Sequence, residues 1–153
     1  MIKVNVFSEE KSWSKKLKDK ESFFKKICQA FPKKYKFLKK EISFSLLLSN
    51  NLNIKRLNKQ FRNNNKATDI LSFPFDKKKK ISSKTYLGDI IISYEYMNTS
   101  KSQSLKVFKK KITKTFIHGF LHLLGYDHIR NNDYKKMLKE EELLFESVIS
   151  KIN

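Results

Sequence analysis

Alternating hydrophobic and polar positions predict two strands in the first third of the chain. Residues 2–6 and 42–48 place apolar side chains at every second position, which is the pattern of a half-buried strand. Between them, residues 13–31 carry large apolar side chains three, four or seven positions apart, which is typical of one face of a helix. Pro32 ends that predicted helix because proline cannot donate the next backbone hydrogen bond.

The middle of the chain predicts one further helix and two further strands. Residues 49–51, Ser-Asn-Asn, are good helix caps, and the apolar positions after them predict a helix that ends near Arg62. Residues 69–75 predict a strand, and Pro74 within it favours a sheet edge or a strand end. Residues 86–93 contain three consecutive isoleucines, which indicate a central strand buried on both faces.

Beyond the last strand the pattern predicts helices alone, at about 94–104, 106–124 and 132–151. Between the last two strands, Lys77–Lys80 form a lysine run that we expect in a solvated hairpin loop. No repeat, glycine-rich linker or charged tail divides the chain. The sequence therefore predicts an α+β fold in which residues 1–153 form a single domain, with a mixed sheet of about four strands and about five helices.

The composition is that of a folded protein, which we expect to be cytoplasmic and not bound to a membrane. Hydrophobic residues make up 39% of the 153 residues, which is enough for a core. No stretch approaches the ~18 apolar residues of a membrane span, and the first residues alternate instead of forming a signal peptide. Cys28 is the single cysteine, so an internal disulfide is excluded, in agreement with a reducing compartment.

The charge is strongly basic, with 34 Lys and Arg against 15 Asp and Glu and a formal net charge of +19. Such a field attracts a polyanion such as RNA, DNA or an anionic membrane surface. All but three of the basic residues are lysines, which favours attraction to phosphates over sequence readout. Compositional drift toward Lys and Asn on a solvated surface explains the charge equally well, so the charge alone leaves both interpretations open.

All three histidines fall within eleven residues, at His118, His122 and His128. Residues four apart on a helix share one face, so the first two imidazoles can reach one metal ion. Gly125 permits the positive φ that ends a helix, which lets the chain turn back and present His128 as a third ligand. Three neutral imidazoles favour zinc, one per chain, and leave a fourth position open for water, as in catalytic sites. We therefore expect a metal site on a C-terminal helix and the turn after it.

Several of these residues have a competing interpretation. The residues around the histidines are apolar, and a single histidine there would simply be a buried or capping residue; three at this spacing favour a metal site. Cys28 as a fourth ligand is disfavoured because it lies on an apolar stripe, where a core thiol is expected. Asp127 is either an orienting partner of an imidazole or a turn residue beside Gly125.

The histidine spacing also matches the metzincin peptidase motif, except that Gly119 stands where that motif has Glu. That Glu is the general base that takes a proton from the metal-bound water during amide hydrolysis. Its absence disfavours a peptidase, whereas a phosphodiester needs a metal and nearby cations to stabilise charge on the phosphoryl oxygens. Together with the net charge, this indicates RNA or DNA as the substrate.

The histidine motif resembles that of the YbeY family of bacterial rRNA-maturation endoribonucleases. Three further segments are similar to the same family: residues 57–62 (Leu-Asn-Lys-Gln-Phe-Arg), 68–74 (Thr-Asp-Ile-Leu-Ser-Phe-Pro) and 87–90 (Leu-Gly-Asp-Ile). Met137 and the glutamates at 140–142 also fit. The matches run in the expected order from about residue 50 to 145, and the first fifty residues match in their pattern of strand, helix and strand alone.

The resemblance implies an α+β fold, a zinc ion on the three histidines, and cleavage of single-stranded RNA in 16S rRNA 3′-end maturation and ribosome quality control. It also identifies Arg62 as the basic residue beside the metal cleft, where it would neutralise charge on the phosphoryl group. From its position alone, an arginine at a helix end would instead satisfy helix carbonyls or face solvent. The implied partners are pre-16S rRNA and the small ribosomal subunit, with small-subunit ribosomal proteins and an assembly GTPase as further candidates.

Two other functions remain open from the sequence. One is a non-catalytic, RNA-binding ribosome-assembly factor whose zinc only braces the last two helices. The other is a metal-dependent peptidase whose acidic base comes from elsewhere in the chain. The first predicts RNA binding without turnover, and the second predicts a carboxylate beside the metal.

Overall fold

The computed structural model describes residues 1–76 and 80–152, which form a four-stranded mixed sheet and five α-helices. The strands are β1 (Ile2–Ser8), β2 (Glu41–Ser49), β3 (Ile70–Pro74) and β4 (Lys84–Ser93). The helices are α1 (Lys20–Gln29), α2 (Asn51–Arg62), α3 (Tyr94–Met97), α4 (Leu105–Leu123) and α5 (Asn131–Ile149). This confirms the predicted α+β fold. Of the lysine run predicted in a hairpin loop, Lys77–Lys79 lie outside the described residues.

The sheet has the strand order β1-β2-β4-β3. β1, β2 and β4 are parallel, and β3 pairs with β4 in the antiparallel direction. β3 is therefore an edge strand, as Pro74 predicted, and β4 is central. The isoleucines of β4 divide between the two faces of the sheet, because Ile90 and Ile92 join the main core whereas Ile91 joins a smaller apolar cluster on the other side. Burial of β4 on both faces is thus confirmed.

Helices α1, α4 and α5 cover one face of the sheet, and α2 lies on the other face. The main core is rich in aromatic rings: Phe116 of α4 packs against Phe24 of α1 and Phe44 of β2, with ring centroids 5.0 and 5.8 Å apart. These contacts fix α4 firmly on the sheet, and α4 carries the histidine segment. Among the described residues, no helix is both long enough and apolar enough to cross a bilayer.

Two predicted helices differ from the structure. The single helix expected over residues 13–31 is interrupted: Lys11–Lys15 form a 3₁₀ helix, and α1 begins only after Asp19, whose carboxylate accepts a hydrogen bond from the Ser22 amide (2.9 Å). The apolar stripe is nevertheless buried throughout, from Trp13 to Phe31. The hydrophobic spacing predicted which side chains face the core. It did not predict the break in the helix between Lys15 and α1.

The helix expected over residues 94–104 ends after one turn, at Met97. The side chain of Gln103 replaces the missing helical hydrogen bonds, since its amide nitrogen donates to the Met97 carbonyl (3.2 Å) and its oxygen accepts from the Thr99 amide (3.1 Å). Ser104 then caps α4 by accepting from the Val107 amide. A side chain that satisfies backbone groups locally competes with the helix, as expected for turn-forming polar residues.

Candidate metal centre

Helix α4 and the turn after it bring the three histidines together. His118 and His122 lie four residues apart near the end of α4 and are half-buried, whereas His128 lies beyond the turn and is exposed. Gly125 has φ +99°, which a residue with a side chain rarely adopts. Its amide donates to the His122 carbonyl and the next amide donates to the Leu121 carbonyl, both at 3.0 Å, so the turn closes the helix end and leads back toward the imidazoles.

The imidazoles converge closely enough to share one metal ion. One nitrogen from each ring lies within 4.8 Å of those of the other two rings. His118 Nε2 and His122 Nε2 are 3.0 Å apart, and the ring centroids of the three pairs are separated by 4.6, 4.9 and 5.5 Å. Nitrogens at ~2.0–2.1 Å from a tetrahedral zinc would be about 3.3 Å apart. The spacing therefore fits a first-row metal on three imidazoles.

In His118 and His122, the ring nitrogen that points away from the other histidines is hydrogen-bonded, and this bond determines which nitrogen faces the proposed metal position. His122 Nδ1 lies 2.9 Å from the Tyr126 carbonyl, and His118 Nδ1 contacts the Glu141 carboxylate. A carbonyl and a carboxylate can only accept, so Nδ1 of each ring carries the proton and donates it. In the neutral form of each ring, Nε2 then carries a free lone pair that can bind a metal. Such partners orient metal-binding histidines in many proteins.

This arrangement supplies a direct test of whether a metal fits. Two unprotonated Nε2 atoms that face one another at 3.0 Å repel unless a cation lies between them. Burial also lowers the pKa of His122, helped by the neighbouring His118, which favours the neutral ring that a metal requires. The donor set, its tautomers and its spacing all suit a cation held by nitrogen.

A hydrogen-bond network ties the turn to the rest of the protein. The hydroxyl of Tyr126 lies 3.1 Å from that of Tyr35, which in turn contacts the Glu140 carboxylate. Lys34 forms an ion pair with the same carboxylate at 2.8 Å. Helix α5 thus holds the site through two adjacent glutamates: Glu141 contacts His118 directly, and Glu140 anchors the segment whose carbonyl orients His122.

Arg62 and the histidines line one cleft of about 620 Å³ between the end of α4 and the edge strand β3. The Arg62 guanidinium donates to the Ser72 carbonyl (2.9 Å) and lies 5.6 Å from the centre of the Phe73 ring. Because of these contacts, the Arg62 side chain extends from the end of α2 to the edge strand β3 and does not lie along the helix. An anion held at the three imidazoles would therefore lie in the same cleft as a fixed guanidinium.

Gly119 faces the sheet beneath the metal cluster. A Cβ built there would lie 2.6 Å from Ile70 Cδ1, 3.1 Å from Ser72 Oγ and 3.2 Å from Ile90 Cγ2. Ser72 also donates to the Gly119 carbonyl at 3.2 Å. The position at which peptidases of similar spacing carry their Glu is therefore packed closely against the sheet, and a side chain there would require Ile70, Ser72 and Ile90 to shift. Helix α4 itself, all of which the structure describes, contains no Asp or Glu that could replace this base.

The structure also shows the surroundings of three other polar or reactive residues. Cys28 is 4% exposed in the main core, where burial raises the pKa of its thiol, so it is the core residue that its apolar stripe favoured. Asp127 accepts from the His128 amide at 2.7 Å, which is the contact of a turn residue. Asp69 likewise accepts from the Ile70 amide at 2.8 Å, and it also lines the cleft.

Sequence reasoning did not identify Glu141 as a partner of His118, nor the role of the Tyr126 carbonyl. Glu141 lies 23 positions after His118, in the middle of a glutamate run, and only its place on the inward side of α5 distinguishes it from its neighbours. The Tyr126 contact involves a backbone atom, for which the identity of the side chain gives no signal. For Glu141, the helical spacing within α5 was the one feature of the sequence that could have indicated its contact with His118.

Comparisons with known proteins agree on one family. The model of the family "Endoribonuclease YbeY" matches residues 5–149. A protein named endoribonuclease YbeY from Pelagibacter ubique is 57% identical over 152 residues and 99% of each chain, and one from Persephonella marina is 36% identical over 71% of this chain and 72% of its own. A solution structure of a Thermotoga maritima protein superposes with a TM-score of 0.58 at 25% identity, over 97% of this chain and 90% of that one.

Proposed function

The chain belongs to the endoribonuclease YbeY family, and on that premise we propose that it is a zinc-dependent endoribonuclease that cuts single-stranded RNA. The observation that carries the proposal is the convergence of His118, His122 and His128 in the same cleft as Arg62. The relatives' shared name supports an endoribonuclease, and the three-imidazole donor set supports the choice of zinc.

The proposed roles divide among a few side chains. His118, His122 and His128 hold one zinc ion, which when bound polarises a phosphoryl oxygen or lowers the pKa of a bound water. Glu141 and the Tyr126 carbonyl keep two of the rings in the tautomer that binds metal. Arg62 is the catalytic residue that neutralises charge developing on the phosphoryl group, for which its planar fork is suited.

The substrate class follows from charge and from the cleft. A net charge of +19 attracts the phosphate backbone, and a Lys-dominated surface does so without reading sequence. Two of the histidines in the cleft, His118 and His122, are half-buried, and a flexible single strand can reach them more easily than a rigid duplex can. We therefore propose a preference for unpaired RNA, which weakens as salt rises.

The cellular role that we propose is 16S rRNA 3′-end maturation and ribosome quality control in the cytoplasm. In that role residues 1–153 act as one endoribonuclease domain, with pre-16S rRNA on the small ribosomal subunit as substrate. Small-subunit ribosomal proteins and an assembly GTPase are the proposed protein partners. The family assignment supports this role.

A cleavage assay on a single-stranded pre-16S rRNA fragment tests the activity. Purified protein is assayed as isolated, after removal of metal with a chelator, and after readdition of zinc, with a duplex of the same sequence as comparison. Cleavage of the single strand that is lost with chelator and restored by zinc supports the proposal. Tight RNA binding without turnover in all three conditions would instead favour an assembly factor with a structural zinc. Cleavage of a peptide but not of RNA would favour a peptidase.

A further inference from the structure

A second groove, of about 460 Å³, continues the metal cleft past Arg62. It is bounded by the end of α2, the loop that follows, the start of β3 and the ring of Tyr96. It shares Arg62 and residues 68–70 with the metal cleft, so the two form one continuous surface. We name it the Lys66 groove, after the lysine in its wall.

The wall of the Lys66 groove is held in place by a buried side chain. Asn58 is 3% exposed, its side-chain amide nitrogen donates to the Lys66 carbonyl (2.9 Å), and its backbone carbonyl accepts from the Asn64 backbone amide (3.2 Å). Asn63 turns the chain with φ +52°. The Tyr96 hydroxyl donates to the Ala67 carbonyl at 3.2 Å. A loop fixed in this way loses little conformational entropy when a ligand binds.

The groove lining combines the chemical groups that bind an unpaired nucleotide. Lys66 and Arg62 supply positive charge for a phosphate, and the Tyr96 side chain is 39% exposed beside them. Asp69 contributes a carboxylate that already accepts hydrogen bonds from Ile70 and Thr68. That carboxylate repels a phosphate and accepts from the donors of a base. Proteins that bind single strands without sequence preference pair cations for the backbone with aromatic rings for the bases.

We propose that the Lys66 groove binds one unpaired RNA nucleotide that flanks the nucleotide at the histidines. Its phosphate lies toward Lys66, and its base lies against Tyr96. This inference rests on the proposed function, since it assumes that RNA occupies the metal cleft. It adds a reason for single-strand preference, because a base that packs against Tyr96 cannot be paired at the same time. The volume falls within the roughly 300–1,000 Å³ of ligand sites.

Binding of short RNA analogues to the zinc-loaded protein tests this inference. The probes are fluorescently labelled 2′-O-methyl uridylates of one to six nucleotides, whose binding is followed by fluorescence anisotropy and whose integrity is checked on a gel. The variants are Lys66→Ala, Tyr96→Ala and Tyr96→Phe. The matched control is Lys25→Ala, because Lys25 is an exposed lysine on α1 that lines neither groove nor cleft.

We expect the affinity of the unsubstituted protein to rise in a step as the oligomer grows beyond the cleft. Lys66→Ala and Tyr96→Ala should weaken binding of the dinucleotide and longer oligomers about fivefold to tenfold, and binding of the mononucleotide, which fills the cleft alone, by less than about twofold. Tyr96→Phe should lose much less affinity than Tyr96→Ala, because it keeps the ring and loses only the hydrogen bond to the Ala67 carbonyl. Lys25→Ala removes one surface charge and should lower the affinity slightly, by the same factor at every oligomer length.

The failures of the two proposals are distinguishable. If the unsubstituted protein cleaves RNA but Lys66→Ala and Tyr96→Ala match Lys25→Ala at every length, the groove is not a nucleotide site and the proposed function stands. If the unsubstituted protein neither binds any oligomer nor cleaves RNA, both proposals are overturned. A photocrosslink from a 4-thiouridine oligomer to the peptide that contains Tyr96 supports the groove, and crosslinks confined to other peptides contradict it.

Discussion

The carboxylate of Glu141 on α5 accepts a hydrogen bond from Nδ1 of His118 on α4. The contact joins the last two helices at the site, and it sets the tautomer in which Nε2 of His118 faces the other histidines. A carboxylate that receives the Nδ1 proton also makes the ring a better metal ligand. The metal site is therefore a product of two helices, although all three proposed ligands lie on α4 and the turn after it.

Glu141→Ala is predicted to lower the affinity for zinc by about tenfold to a hundredfold, because the His118 ring loses the partner that holds its orientation. Glu141→Gln keeps an acceptor oxygen for the His118 ring, so its affinity for zinc should fall less than that of Glu141→Ala. Competition titration against a chromophoric chelator measures the affinity, and the visible spectrum of the cobalt-substituted protein reports ligand geometry. Glu142→Ala is the control, since this neighbour is exposed. Equal affinities of the Glu141→Ala and Glu142→Ala proteins would exclude the orienting role.

Gly119→Glu, which restores the residue of the peptidase motif, is predicted to destabilise the fold by about 3 kcal/mol or more. The new side chain would start 2.6 Å from Ile70 Cδ1 and 3.2 Å from Ile90 Cγ2, and it would bring a carboxylate to a buried position of α4. Urea denaturation measures the free energy of unfolding, and no peptidase activity should appear. Lys110→Glu introduces the same residue at an exposed position of α4 and should change stability by less than about 0.5 kcal/mol. A Gly119→Glu protein as stable as this control would contradict the packing.

Much of the fold follows from hydrophobic spacing, because each strand and long helix buries a regular set of side chains. The isoleucines of β4 and the apolar face of α4 are examples, and both were predicted. The backbone breaks between Trp13 and α1 and after Met97 were not predicted, because they depend on a hydrogen bond that the Asp19 carboxylate accepts and on one that the Gln103 side chain donates. Spacing along a sequence carries no information about such individual bonds.

In the candidate site, too, some residues could be predicted from the sequence and others could not. The proposed metal ligands were identified because three histidines lie within one segment, whereas their orienting partners were not. Glu141 comes from another helix, and the Tyr126 carbonyl belongs to the backbone. Arg62 was assigned through resemblance, since its position at a helix end favoured a solvent-facing role. Its hydrogen bond to the Ser72 carbonyl supplies the physical reason for its place in the cleft.

Glu140 is predicted to stabilise the protein in a pH-dependent way. Burial opposes its ionisation, but hydrogen bonds from Lys34 and Tyr35 outweigh that effect, and the pKa of Glu140 is lowered. A lowered folded-state pKa means that the stabilisation is present above the ordinary pKa of a glutamate and is lost as the pH falls through the lowered value. Glu140→Gln should therefore be less stable than the unsubstituted protein at pH 7, by about 1 kcal/mol.

The measurement for Glu140 is the free energy of unfolding by urea at several pH values between 7 and 3. The difference between the unsubstituted protein and Glu140→Gln should shrink steadily toward the acid end. Glu146→Gln, an exposed change on the same helix, should give a difference near zero throughout. A Glu140→Gln difference that stays constant with pH would mean that the charge of Glu140 contributes nothing to the network with Tyr35 and Lys34.

Arg62→Ala is predicted to slow RNA cleavage by at least about tenfold, which corresponds to ~1.4 kcal/mol of transition-state stabilisation. The guanidinium is fixed by its bond to the Ser72 carbonyl and so lies ready beside a phosphate held at the histidines. Arg62→Lys keeps the charge but loses the planar fork, so it should recover only part of the rate. Single-turnover cleavage of a single-stranded RNA separates this effect from binding.

Arg56→Ala is the matched control for Arg62→Ala. Arg56 is an exposed arginine on the same helix, α2, and lies outside the residues that line the cleft. Both changes remove one positive charge, so both should weaken RNA binding slightly through the long-range field. Only the loss of Arg62 should lower the single-turnover rate at saturating protein, with zinc content unchanged. If both variants cleave at the same rate as the unsubstituted protein under those conditions, Arg62 only contributes to the positive field and to the packing on Phe73.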